Sequence, residues 1–302
     1  MNFVEIIAIG KELLSGRTLD TNSNWIAKRI TALGGEVRRI VVVDDQMKAI
    51  IPEIRKALRK KGNIIITTGG LGPTFDDRTL GAVAKAVKRD LVLNQKALAF
   101  VKGRYRFFKE QGAVEDDRMT PHRKKMAILP KGAIMLYNSV GAAPGMRLTV
   151  KGRWIYSLPG VPKEMKSIFE ETMAEEFKKI FGRRFILEER IATPLNDESK
   201  LGEIVDRLMK EVPGAYLKSK PTTFGNKVKL DVSITASGDD EEELRKRIEQ
   251  VKERMRSFID TFDGAKPRFL NRGKKRRSVS TLSIPRASDR GVEWVDFEDI
   301  HL

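Results

Sequence analysis

Phe3 to Ile9 is an apolar run broken only by Glu5, the pattern of a strand covered on both faces. The segment TNSNWIAKRITALGG places Trp25, Ile26, Ile30 and Leu33 on one helical face. Asn22 or Ser23 is its expected N-cap, and Gly34 and Gly35 its end. Val37 to Val43 predicts a second strand, Ile50, Ile54 and Leu58 a second helix, and Ile64 to Thr68 a third strand. Leu80 to Val87 predicts the next helix, with Thr79 as its cap. Short Val- and Ile-rich runs alternating with helices predict a mostly parallel sheet with helices on both faces, an α/β doubly wound domain. In such sheets ligands sit beyond the carboxyl ends of the strands.

Leu93 to Lys125 reads as helical and highly charged. AIMLYN, GMRLTV and RWIYSLPG predict strands, the last two forming a hairpin at Lys151-Gly152. Val161 to Phe181 has the periodicity of one long amphipathic helix. It closes a first domain of residues 1–182. From Arg183 onward the order is strand, helix, two strands, helix, which predicts a small α+β domain over 183–262. The alternation of KVKLDVSITA marks a half-buried strand, and DDEEELRKRIEQVKERMRSFI a helix with acidic residues leading. Residues 263–302, rich in Arg, Lys, Ser and Pro and then acidic, read as a flexible basic tail.

Composition narrows the picture without deciding it. The chain of 302 residues carries 58 basic against 41 acidic side chains, a net charge of +17, and no cysteine. That excludes a disulfide framework and a thiolate zinc site. No apolar run is long enough to span a bilayer. The first residues are too few and too charged for a signal peptide, so a cytoplasmic location and no membrane partner are expected. The basic excess suits nucleic acid, small polyanions or an ordinary solvated surface, and part of it lies in GKKRR near the end. A homo-oligomer, a dimer by preference, is expected.

The chemistry concentrates in IIITTGGLGPTFDD. Gly69, Gly70, Leu71 and Gly72 form a turn between strand and helix, where backbone amides and the helix start favour phosphate. The turn lacks the Gly-Lys-Ser/Thr ending of a Walker loop and the glycine spacing of a dinucleotide fingerprint. Asp76 and Asp77 would repel a phosphate unless a hard divalent cation bridged them to it. The bland readings are a plain tight turn and two solvated or helix-capping carboxylates. GKELLSGRTLDTNSNW offers Glu12, Asp20, Asn22 and Ser23 from the loop after the first strand, with helix capping as the ordinary alternative. Two small-residue loops, NSVGAAPG and LPGVPKEM, supply Ser139, Gly141, Pro144, Gly145, Pro159 and Gly160 as candidate pocket walls. Ordinary turn chemistry explains them equally well. His122, in polar TPHRKK, reads as a surface residue.

GKELLSGRTLDTNSNWIA, TTGGLGPTFDD, NSVGAAPG and LPGVPKEM occur in this order. Together they resemble the N-terminal part of the competence/damage-inducible CinA family, which is similar to the molybdopterin-binding fold. The resemblance covers Met1 to Phe181, and the following βαββα unit looks like that family's KH-like domain. It implies hydrolysis of the ADP-ribose pyrophosphate to AMP and ribose 5-phosphate, with a divalent metal such as Mg, Co, Mn or Ni and help from potassium. It puts Gly69, Gly70, Gly72, Asp76 and Asp77 at the site, with Glu12, Asp20 and Asn22 opposite. Two positions depart from the family pattern: Lys11 replaces an acidic residue or Thr, and Phe75 a His. The family's C-terminal deamidase domain is expected to be missing after Phe262. Specific RNA binding is not expected, because no Gly-x-x-Gly loop lies between Arg183 and Phe262. A binding protein without turnover is the competing class.

Overall fold

The computed structural model describes residues 3–60, 63–182, 185–223 and 229–263. The chain divides into two compact units, Met1–Arg184 and Phe185–Leu302. In the first unit the opening elements are β1 (Phe3–Ile9), α1 (Lys11–Leu14), α2 (Thr21–Ala32), β2 (Glu36–Val43), α3 (Met47–Leu58), β3 (Asn63–Thr68) and α4 (Thr79–Val87). Next come β4 (Leu91–Leu93), α5 (Gln95–Glu110), α6 (Pro121–Lys125), β5 (Ile128–Pro130), β6 (Ile134–Leu136), β7 (Gly145–Val150) and β8 (Arg153–Leu158). The last helical stretch holds α7 (Pro162–Ile168) and α8 (Ala174–Phe181).

Six strands make one sheet in the order β2-β1-β3-β8-β7-β6. β2, β1, β3 and β8 are mutually parallel, and β7 runs against both its neighbours. Each central strand is apolar on both faces because each face is covered. Ile65 and Ile7 pack with Ile50 and Ile54 of α3 and Ala82 and Val83 of α4. Ile64, Ile66, Val4 and Ile6 pack on the opposite side with Ile26 and Ile30 of α2 and Phe169 and Phe177. Glu5, almost fully buried in β1, is neutralised by Lys60 at 2.6 Å and Arg39 at 3.5 Å.

This arrangement locates the crevice. β1 feeds α2 on one face and its chain returns to β2 at the sheet edge, whereas β3 feeds α4 on the other face. The loops after β1 and β3 therefore leave adjacent parallel strands towards opposite faces, the switch point at which open α/β sheets bind ligands.

Four local expectations need correction. Asp20, not Asn22 or Ser23, caps α2; its Oδ1 accepts from the Ser23 amide at 2.9 Å. Thr79 is no cap either: it is the first helical residue of α4, and its hydroxyl donates to the Gly69 carbonyl at 2.7 Å. The stretch 93–125 is interrupted between α5 and α6, and β4 pairs with β5 in a separate two-stranded ribbon. The long closing helix widens into a π turn at Phe169–Met173, where the Thr172 hydroxyl returns to the Ile168 carbonyl at 2.6 Å.

The second unit contains β9 (Phe185–Ala192), α9 (Glu198–Glu211), β10 (Ala215–Thr223), β11 (Lys229–Gly238) and α10 (Glu241–Asp263). Its three strands are antiparallel in the order β10-β11-β9. One face packs on both helices through Leu201, Leu208, Val232, Ile234, Ile248 and Met255. The basic stretch 264–302 lies outside the described residues. No helix among the described residues is long and apolar enough to cross a membrane.

Candidate functional site

The loop after β3 is built by its contacts. Gly69 and Gly70 adopt φ of +105° and +68°, a region that strains any side-chain-bearing residue. A Cβ on Gly69 would lie 2.2 Å from the Ile9 carbonyl oxygen, and one on Gly70 would lie 2.4 Å from the Thr79 hydroxyl. The loop thus presses against the end of β1 on one side and the start of α4 on the other. The Gly69 amide donates to Leu158 O and the Thr79 amide to Gly70 O. The next three amides, of Gly70, Leu71 and Gly72, find no acceptor among the described residues. Leu71 anchors them by packing into a small apolar cluster with Val101, Met126 and Ala143.

Asp77 closes the loop. Its Oδ2 accepts from the Thr74 amide at 2.9 Å and the Thr74 hydroxyl at 2.6 Å, and its own amide donates back to Thr74 O. Asp76 is exposed. The polar groups of the turn, Thr74 and its own amide first, with Lys125 and Arg78 nearby, hold its carboxyl below the usual carboxylate range. Lys125 donates to Thr74 O. Burial lowers its pKa, against the pull of Asp77 and Asp76.

A cleft of about 230 Å³ opens beside this loop. Gly70, Leu71, Gly72, Phe75 and Asp77 line one side, and Arg78, Leu80 and Gly81 of the α4 start line another. Met47, Leu91, Lys125 and Ile128 complete it. Arg78 is fixed there, donating to Phe75 O at 3.1 Å and to the Gln46 side chain at 2.7 Å. Gln46 in turn donates to Asp45, whose carboxyl is raised by burial and by neighbouring Asp44. Sequence inspection missed Met47 and Lys125, because each stands alone in its own segment and only the fold gathers them, and passed over Arg78, which directly follows Asp77.

Asn22 forms the opposite side of the glycine turn. Its amide group donates to Thr68 Oγ1 at 3.1 Å and to Gly160 O at 2.8 Å, tying α2 to the ends of β3 and β8. Thr68 donates to Pro159 O, and Gly160 abuts Gly69. Asn22 Oδ1 and Ser23 Oγ are buried without a partner. Unsatisfied buried acceptors and hydroxyls are uncommon and mark places where a polar ligand or water completes the bonding.

Other candidate residues make internal contacts. Glu12 is exposed, and its carboxylate folds back over Gly10. Ser139 spends its hydroxyl on Ser167 and Glu171. Gly141 and Gly145 are packed against Glu164 and Ile168, and Pro144 is buried. The organiser of that loop is Asn138, fully buried, which bonds Val140, Gly141, Ala143 and Glu164. His122 is exposed.

Among the described residues no three carboxylate or imidazole side chains converge as metal ligands. Ions of the magnesium class do not need such a cage. They keep several waters and take one or two carboxylates plus substrate phosphates. Asp77 lines the cleft beside the three unpaired amides, whereas Asp76, its exposed neighbour, is not among the lining residues.

Comparison with known proteins identifies the family of the first unit. Residues 5–179 match a family described as a probable molybdopterin binding domain. A protein of Pyrococcus furiosus is 40% identical over 256 residues, covering 85% of this chain and 98% of its own length. One of Sulfurisphaera tokodaii is 38% identical over 262 residues, covering 85% and 94%. The crystal structure of CinA from Thermoplasma acidophilum, a protein of unknown function, shares 37% identity with a TM-score of 0.52, over 58% of this chain and 98% of that one.

Proposed function

The chain belongs to the family of probable molybdopterin-binding domains, with a CinA-like first unit, and from that premise we propose that it is a metal-dependent nucleotide pyrophosphatase acting on ADP-ribose or a related dinucleotide. The run of three unpaired amides at Gly70, Leu71 and Gly72 carries this reading. Aimed from a rigid glycine turn, they supply the hydrogen bonds that a phosphate oxygen needs, with no rearrangement during reaction. Lys125 and Arg78 in the same cleft add positive charge.

The residues divide the work. The amides and Lys125 hold the phosphate that becomes the leaving group. Asp77, locked on Thr74, fixes the loop conformation and presents a carboxylate beside it. Asp76 stays ionised and exposed, suited to hold an ion or orient a water. A divalent cation held by Asp76 and Asp77 would neutralise phosphate charge and lower the pKa of a bound water.

Purified protein with ADP-ribose, each of Mg, Co, Mn and Ni in turn, and potassium should release AMP and ribose 5-phosphate, and chelator should stop it. Binding without turnover is the second reading, favoured by the family's description as a probable molybdopterin binding domain. No AMP with any metal, together with a raised melting midpoint on adding a phosphorylated pterin, would select it. The same reading takes the second unit as KH-like, with two helices on one face of a three-stranded antiparallel sheet, and the protein as a homodimer without specific RNA affinity.

A further inference from the structure

Phe75 leaves 80% of its surface exposed. A single exposed aromatic needs no explanation on its own. This one stands at the rim of a cleft whose other walls include Met47, Leu80, Leu91 and Ile128, directly beside the unpaired amides. Its neighbour Arg78 is immobilised by two hydrogen bonds, and its guanidinium carbon lies 5.8 Å from the Phe75 ring centroid. The cleft therefore combines the three unpaired amides with apolar walls and an exposed aromatic ring.

Gly81 adds an independent observation. It is the third residue of α4, where alanine would favour the helix. Its φ is ordinary, and an added Cβ would meet nothing closer than the Met47 methyl at 3.8 Å. No backbone constraint calls for glycine here. What a larger side chain would do is fill the cleft. The volume, about 230 Å³, is below the range of roughly 300–1,000 Å³ that holds a whole drug-sized ligand. It suits one ring system of a larger molecule.

We propose that this cleft is the base subsite: a planar nitrogen heterocycle attached to the bound phosphate stacks on Phe75 and lies over Gly81 between Met47 and Ile128. The proposal rests on the phosphate reading of the glycine loop and names the part of the ligand that reading leaves open. An adenine nucleotide and a pterin phosphate share the required chemistry.

Calorimetric titration of the full chain with inorganic pyrophosphate, ribose 5-phosphate, AMP and a phosphorylated pterin, each with magnesium, tests it. AMP or the pterin phosphate should bind tighter than ribose 5-phosphate, and whichever gains more identifies the ring. Phe75→Ala should weaken that ligand by roughly fivefold to a hundredfold, the range for loss of one base stack. Pyrophosphate affinity should be unchanged, and Phe75→Trp should restore ring binding. Gly81→Leu should produce the same selective loss without altering Phe75, at an unchanged or higher melting midpoint. If pyrophosphate binds but neither ring-bearing ligand exceeds ribose 5-phosphate, the base subsite is wrong and the phosphate reading stands. If the variants weaken pyrophosphate as much as AMP, the subsite is also wrong. If nothing binds the wild type, both readings fall.

Discussion

The loops after β1 and β3 start from adjacent parallel strands and lead into helices, yet they are built oppositely. The loop after β3 is clamped: Gly69 lies against Ile9, Thr79 bonds Gly69, and Asp77 bonds Thr74. The loop after β1 is nearly all exposed from Lys11 to Leu19, with Leu19 at 81%. Its attachments to the rest of the unit are at its two ends, where the Gly10 amide donates to Val43 O and where Asp20 caps α2 and Asn22 bonds Gly160. Preorganised amides need a loop that cannot relax, because a flexible one would lose entropy on ordering each time a ligand bound. The clamped loop is thus equipped to hold charge, while the open loop can contribute only by moving or through its anchored ends.

Matched glycine substitutions should break the contrast most sharply. Gly69→Ala combines a strained φ with a backbone clash and should cost about 3 kcal/mol or more, a fall of roughly 6–12 °C in melting midpoint. Gly16→Ala, at φ +71° with nothing within 4 Å, should cost only about 1 kcal/mol. Equal losses in thermal melts would mean that the two loops are held alike.

Carboxylates extend the comparison to chemistry. Asp77→Asn keeps an acceptor for Thr74 and should melt near the wild type, but should lower ADP-ribose turnover by about a hundredfold. Glu12→Gln, in the open loop, should change neither stability nor ligand-free structure. A full rate in Asp77→Asn would remove the clamped loop from the reaction. Asp20→Ala should cost about 1 kcal/mol through loss of the α2 cap, visible as a lower denaturant midpoint.

The smallest effect concerns the 138–145 loop. Glu164 packs over Gly141, and burial raises its carboxyl pKa. A raised value means the folded state holds the proton more tightly than the unfolded chain. Ionised Glu164 therefore costs stability near pH 7, and the cost vanishes below the unfolded value of about 4.3. Glu164→Gln should raise the midpoint at pH 7 and leave it unchanged near pH 3. A gain that persists at low pH would show that packing, not charge, is responsible.

Much of this was legible in the chain itself. Alternating Val/Ile runs and helical faces specify the covered sheet, because burial on both faces demands continuous apolar strands. The glycine turn after β3 was legible too, because the positive φ of Gly69 and Gly70 strains any residue with a side chain. Local bonding was less legible: Asp20 took the cap through the Ser23 amide three residues on, while Asn22 went to Thr68 and Gly160 and Thr79 turned its hydroxyl to Gly69, partners that only the fold brings close. Convergence was not legible at all. Met47, Phe75, Gly81, Lys125 and Ile128 share one cleft only because α3, α4, α6 and β5 meet there, and no local periodicity encodes a contact between segments that the folding of the sheet brings together.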